Sequence, residues 1–114
     1  MKLMGRVALS LMLIGLIASA VFAAGDLSKG KMLFNDPKLG TNGMTCNSCH
    51  PDGKGLEKAG LPGTKEWTNP GGTWLNLEDA NNVCIMMALK GKTIDPKSQE
   101  MADLTAYVKS FAKK

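Results

Sequence analysis

Near its start the chain has an apolar run, Val7 to Ile17, interrupted by the one polar residue Ser10, and only afterwards settles into alternating polar and apolar positions. The first amphipathic stretch, GDLSKGKMLFND, predicts a short helix with Leu27 and the Leu33–Phe34 pair on its buried side and Asp26 or Ser28 as cap. Asn35-Asp36-Pro37 ends it, because proline biases the residue before it away from helix. In LEDANNVCIMMALKG, the residues Leu77, Asn81, Cys84 and Ala88 fall on one helical stripe, with Met87 beside it. Glu78 and Asp79 suit the start of that helix and Gly91 its stop. The clearest helix is the last, SQEMADLTAYVKSFAKK, capped by Ser98 and striped with Met101, Leu104, Tyr107, Val108 and Phe111. Between the first and second helices lies PDGKGLEKAGLPGTKEWTNPGGTW, a loop by its glycine and proline content. Loops of that length usually wrap something or serve function. No strand pattern stands out, so the expected fold is all-α with long loops.

The N-terminal run changes the picture of the domain. Lys2 and Arg6 precede the apolar stretch, and small residues cluster around Val21-Phe22-Ala23. This is the order of a secretory signal peptide cleaved after Ala23 or Ala24. An uncleaved membrane anchor is the alternative, but the stretch falls short of the roughly 20 residues that span a bilayer. The expected organisation is a signal peptide over residues 1–23 and one small domain over 24–114, exported, with no membrane span after cleavage. Losing Lys2 and Arg6 brings the formal charge from +4 to +2. A balance that mild, on dispersed lysines, does not argue for nucleic acid and gives at most a weak preference for acidic partner proteins. A domain this small buries a modest core and needs reinforcement. Three cysteines cannot all pair with one another, so a disulfide framework does not supply it.

The candidate chemistry lies in MTCNSCHPDG, where Cys46 and Cys49 stand two residues apart and the chain's one histidine, His50, follows at once. A redox dithiol uses such a pair, but in a βαβ context that is missing here. A zinc site would need His50 and the distant Cys84 as further ligands, and a histidine adjacent to Cys49 reaches the same tetrahedral centre poorly. The third chemistry is covalent haem: C-x-x-C-H is the attachment signature, with thioethers from Cys46 and Cys49 on about one helical turn and His50 as the proximal iron ligand. Export to the compartment where attachment is completed, a small core in need of apolar surface, and a long loop with something to wrap all agree with one covalently attached haem c.

On these residues the chain resembles a class I c-type cytochrome, a small helical domain with long loops wrapped around one covalent haem. SKGKMLF with Gly30 and LTAYV with Tyr107 are similar to the family's crossing of first and last helices, where Gly30 would permit close approach. The resemblance also implies that Pro62, in GLPGT, offers its carbonyl to the Nδ1–H of His50, fixing the imidazole. The C-terminal half resembles the haem domain of thiosulfate dehydrogenases and of the dihaem subunit of the sulfur-oxidising Sox complex. Leu77-Glu78, Asn82, Cys84, Gly91-Lys92, Ser98-x-Glu100-Met101 and Ala106-Tyr107 carry that likeness. It implies Cys84 as the distal iron ligand. Where those enzymes usually carry a basic residue, three positions after the cysteine, this chain has Met87.

The distal position thus has two candidates. Methionine is the commonest distal ligand of single-haem cytochromes, which favours Met87; the Sox-like pattern favours Cys84. Thioether ligation raises the reduction potential, whereas a thiolate lowers it by stabilising the ferric state. Trp67, Trp74 and Asn69 are candidate contacts for a haem propionate, or simple packing at the haem edge. No serine–histidine or paired-carboxylate constellation stands out, so the expected function is a periplasmic one-electron carrier, monomeric, exchanging electrons with redox partner proteins. The alternatives are a haem subunit or electron acceptor of a thiosulfate- or sulfur-oxidising enzyme, and a ligand-binding haem protein. Joining two thiosulfates releases two electrons and one haem stores one, which argues against the chain being that enzyme by itself.

Overall fold

The computed structural model describes residues 24–113, so the expected signal peptide lies outside the described residues. Along the chain run α1 (Leu27–Phe34), α2 (Cys46–Cys49), a 3-10 turn (Pro51–Gly53), β1 (Trp67–Asn69), β2 (Gly72–Trp74), α3 (Leu77–Met87) and α4 (Gln99–Lys109). The expectation of an all-α fold is therefore corrected by a small antiparallel hairpin, with Trp67 opposite Trp74 and Asn69 opposite Gly72. Its strands are three residues each, too short for alternation to register in the sequence. No helix among the described residues is long and apolar enough to cross a membrane.

Alpha1 and α4 pack closely against each other, and glycines permit it. A Cβ on Gly30 would collide with the Asp103 carbonyl and stand 2.7 Å from the Cβ of Tyr107. One on Gly25 would collide with the Ala102 carbonyl and stand 2.6 Å from the Cβ of Ala106. Asp26 caps α1 by accepting the Lys29 N–H at 3.0 Å, while its own N–H donates to Asp103 at 2.7 Å, joining the start of one helix to the flank of the other. Phe34, Tyr107 and Phe111 then pack as a triad, with ring centroids 4.9 to 5.4 Å apart. Leu27 differs from the sequence reading: at the first helical position it stays 53% exposed, because the contact is made by the glycines and Phe34.

Alpha3 is capped by Asn76, which accepts the Asp79 N–H at 2.8 Å. The helix stops where expected, though by a different device. Lys90, not Gly91, takes the left-handed conformation (φ 56°), and the Gly91 N–H closes on the Ile85 carbonyl at 2.9 Å. Gly91 is needed for space, since a Cβ there would meet the Leu39 carbonyl at 2.5 Å. The segment leading into α2 caps the same end of α3. Thr41 donates its N–H to Leu89 (2.9 Å) and its hydroxyl to Lys90 (2.6 Å), and the Asn42 amide donates to Ala88 (2.9 Å). Carbonyls that a helix end leaves orphaned are satisfied in this way. Beyond α3, buried Asn82 exchanges two 2.8 Å bonds with the backbone of Ile94 and fixes the connector to α4.

The apolar core forms the wall of a partly open space. Nine hydrophobic side chains are buried among the described residues, and seven of them (Phe34, Leu77, Ala80, Ile85, Leu89, Leu104 and Val108) line one cavity of about 510 Å³.

Candidate functional site

The Cys-Cys-His segment folds into one helical turn for a reason written in its own residues. Thr45 caps α2 by accepting the Ser48 N–H at 3.1 Å, and the Ser48 hydroxyl accepts the Thr45 N–H at 2.9 Å. This reciprocal capping box fixes the turn on which Cys46 and Cys49 stand. Asn47 continues the chain of local bonds by accepting the Asp52 N–H at 3.1 Å. Asp52 and Gly53 are both left-handed (φ 51° and 79°), and this reversal brings the following backbone back under the histidine.

The His50 ring is held by that returning backbone. Its Nδ1 lies 2.9 Å from the Lys54 carbonyl, and a side chain on Gly55 (φ 89°) would come within 3.4 Å of the same nitrogen. The carbonyl accepts, so Nδ1 carries the proton and Nε2 is left with its lone pair free for a metal. The partner expected from family likeness, Pro62, does not have this role: it is exposed and stands off the cavity. The tight turn after His50 supplies a nearer carbonyl.

Cys46, Cys49, His50 and Cys84 all line the cavity, as do the other members of the α3 stripe, Leu77, Asn81 and Ala88. Met87 does not; it is half exposed, with its sulfur against Gly71, and Met86 is also exposed. Burial pushes the Cys46 thiol up to about 11, reinforced by the nearby Cys84 and Cys49 and opposed by a backbone N–H. Burial likewise raises Cys84, while the Asn69 amide pulls it down. A free thiolate is therefore penalised here unless a cation faces it.

The two tryptophans have their N–H groups already committed. Trp67 donates to the Ala59 carbonyl at 2.9 Å and itself lines the cavity. Trp74 stands off the cavity and donates to Asn69 at 3.1 Å. Neither N–H is left for a propionate; Asn69 lines the cavity beside Trp67, and its amide lies 3.7 Å from the Cys84 sulfur. The signal for it in the sequence was weak: a single polar residue before Pro-Gly-Gly.

The cavity's size falls within the ~300–1,000 Å³ of cofactor sites, and its walls are mostly apolar with a few polar groups, as such sites require. Among the described residues, no three His, Cys, Asp or Glu side chains cluster to hold a bare metal ion. The zinc alternative thus lacks a donor set, whereas a haem needs only one axial donor from each of two elements and two thiols at its edge. The residues fit a covalent haem.

Comparison with known proteins agrees. Residues 29–114 match the family described as SoxA/TsdA, cytochrome c domain, so the likeness reaches back to the first helix rather than stopping at the C-terminal half. No curated protein and no solved structure matches the chain significantly. Three-quarters of the sequence, including every residue placed on the cavity, falls inside the matched region, and the chain belongs to the SoxA/TsdA cytochrome c domain family: it is a c-type cytochrome with covalently bound haem, and it works in electron transfer.

Proposed function

We propose that the chain is an exported, periplasmic cytochrome that carries one electron at a time on a single haem. In this reading Cys46 and Cys49 form the thioethers, His50 is the proximal ligand and Cys84 the distal one. The observation that carries it is the meeting of these four side chains on one apolar cavity from which Met87 is turned away. When bound, the haem supplies an iron that alternates between ferric and ferrous states. The protein's part is to hold the donors still and to exclude water. The Lys54 carbonyl fixes the tautomer and tilt of His50 and raises its basicity toward iron. The apolar wall around Cys84 favours a thiolate only when ferric iron balances its charge. Carrying an electron needs no acid–base group, and its partners are other redox proteins that approach an exposed haem edge, with the cytochrome acting as a monomer.

The test is spectroscopy of the ferric protein. Cys84→Ala is expected to abolish the wild-type low-spin signal, and Met87→Ala to leave it as it is; the reverse outcome gives the distal place to Met87.

A second reading, a haem subunit or electron acceptor beside a sulfur-oxidising enzyme, is favoured by the family match and by Cys84. Against direct turnover stands Met87, an uncharged residue where the resembling enzymes carry a base. Thiosulfate added to the oxidised monomer is expected to reduce it slowly; fast reduction would favour this second reading.

A further inference from the structure

Asn69 is the last residue of β1, and all four hydrogen-bonding positions of its side-chain amide are used. Its oxygen accepts the Gly71 N–H at 2.9 Å and the Trp74 indole N–H at 3.1 Å. Its nitrogen donates to the Ala80 carbonyl at 3.1 Å and to the Cys84 sulfur at 3.7 Å. The orientation of an amide is normally ambiguous, since oxygen and nitrogen look alike. Here chemistry decides it. A backbone N–H and an indole N–H only donate, so the atom between them must be the oxygen. A carbonyl oxygen only accepts, so the nitrogen faces α3. Ala80 and Cys84 are one helical turn apart, and the two N–H groups reach one each.

We propose that Asn69 is a positioning residue for the distal sulfur, holding Cys84 toward the haem iron and setting how strongly that sulfur donates to it. The inference rests on the reading of Cys84 as distal ligand. It gives the hairpin a purpose: the Asn69-Pro70-Gly71-Gly72 turn and the indole of Trp74, on the opposite strand, together lock one amide against α3. A thiolate that accepts an N–H bond has part of its charge neutralised, and it stabilises ferric iron less than a bare thiolate does. Removing the donor therefore favours the oxidised protein, and the midpoint potential falls.

The test is a redox titration of the haem-loaded protein, paired with ferric electron paramagnetic resonance, in four forms: wild type, Asn69→Leu, Cys84→Ala and the double variant. Asn69→Leu is expected to lower the ferrous-to-ferric ratio about tenfold at a fixed potential near the midpoint, which is about 59 mV for a one-electron couple, and to change the resonance positions. Because the amide acts through the sulfur, the shift is expected to vanish in the Cys84→Ala background. A midpoint and spectrum unchanged by Asn69→Leu, or an equal shift with Cys84 absent, overturns the inference. Should Asn69→Leu fail to take up haem, Asn69→Ser replaces it. A serine hydroxyl can still hold the Gly71 N–H in the turn but is too short to reach the sulfur, and the same outcomes decide. If Cys84→Ala leaves the wild-type spectrum untouched, the distal-ligand reading falls and takes this inference with it. If that spectrum changes while Asn69 has no effect, the inference alone fails.

Discussion

Asp103 shows how much one side chain can organise. Its carboxylate accepts the Asp26 N–H at 2.7 Å and the Gln99 amide at 2.8 Å, and these two bonds, in that order, hold it below the usual carboxylate range. The sign of the consequence is fixed by linkage. A carboxyl whose folded pKa is depressed stabilises the fold at pH values above its ordinary pKa, about 4, and loses that contribution as pH falls through the depressed value. Stability is therefore expected to decline on acidification more steeply in the wild type than in Asp103→Asn. Thermal unfolding followed from pH 6 downward checks this: the two melting temperatures should converge below about pH 4. Parallel curves would mean that folding leaves the pKa of Asp103 unchanged. At this scale the sequence was uneven. That Cys46, Cys49 and His50 act together is suggested by their spacing, and the structure sets all three on the one cavity. The contact of His50 with Lys54 instead of Pro62 is less legible: Pro51-Asp52-Gly53 signals a turn, but the sequence does not say which carbonyl its two left-handed residues bring back to the ring.

Among the elements, the crossing of α1 and α4 depends most on a single absence of atoms. Gly30 lets backbone touch backbone, and a methyl group there would collide with the Asp103 carbonyl, which cannot move without disturbing α4. Gly30→Ala is expected to destabilise by about 1–3 kcal/mol, the range for overpacked sites. Chemical denaturation of the haem-loaded protein measures it, and a cost below about 0.5 kcal/mol, typical of an ordinary surface change, would show that the helices have room to separate. Helices were readable from the sequence because their stripes are long: Met101, Leu104 and Val108 are buried as the periodicity of α4 requires. The hairpin was not. Its two strands are held by the side chains of Asn69, Thr68 and Thr73 as much as by pattern, and WTNPGGTW reads as loop chemistry until the bonds are seen.

Over the whole molecule, the core and the cavity largely coincide among the described residues. Seven of nine buried apolar side chains face the space that the cofactor is read to fill, so packing is completed by a group the polypeptide does not itself contain. The double variant Cys46→Ala/Cys49→Ala, which cannot form thioethers, is expected to lose its cooperative thermal transition and most of its helical circular dichroism. A sharp transition like that of the haem-loaded protein would mean that the chain folds by itself. The two sides of that space also share a joint. Thr41 and Asn42, just upstream of the thioether turn, are bonded to Ala88, Leu89 and Lys90, just downstream of Cys84. Any shift of this splice carries both walls with it, so the width of the gap is inherited from one place. For a c-type cytochrome that works in electron transfer, that is a kinetic property. A frame already set before the charge arrives leaves little nuclear rearrangement to complete, and electron transfer can then be governed by distance and driving force instead of by the protein's own settling.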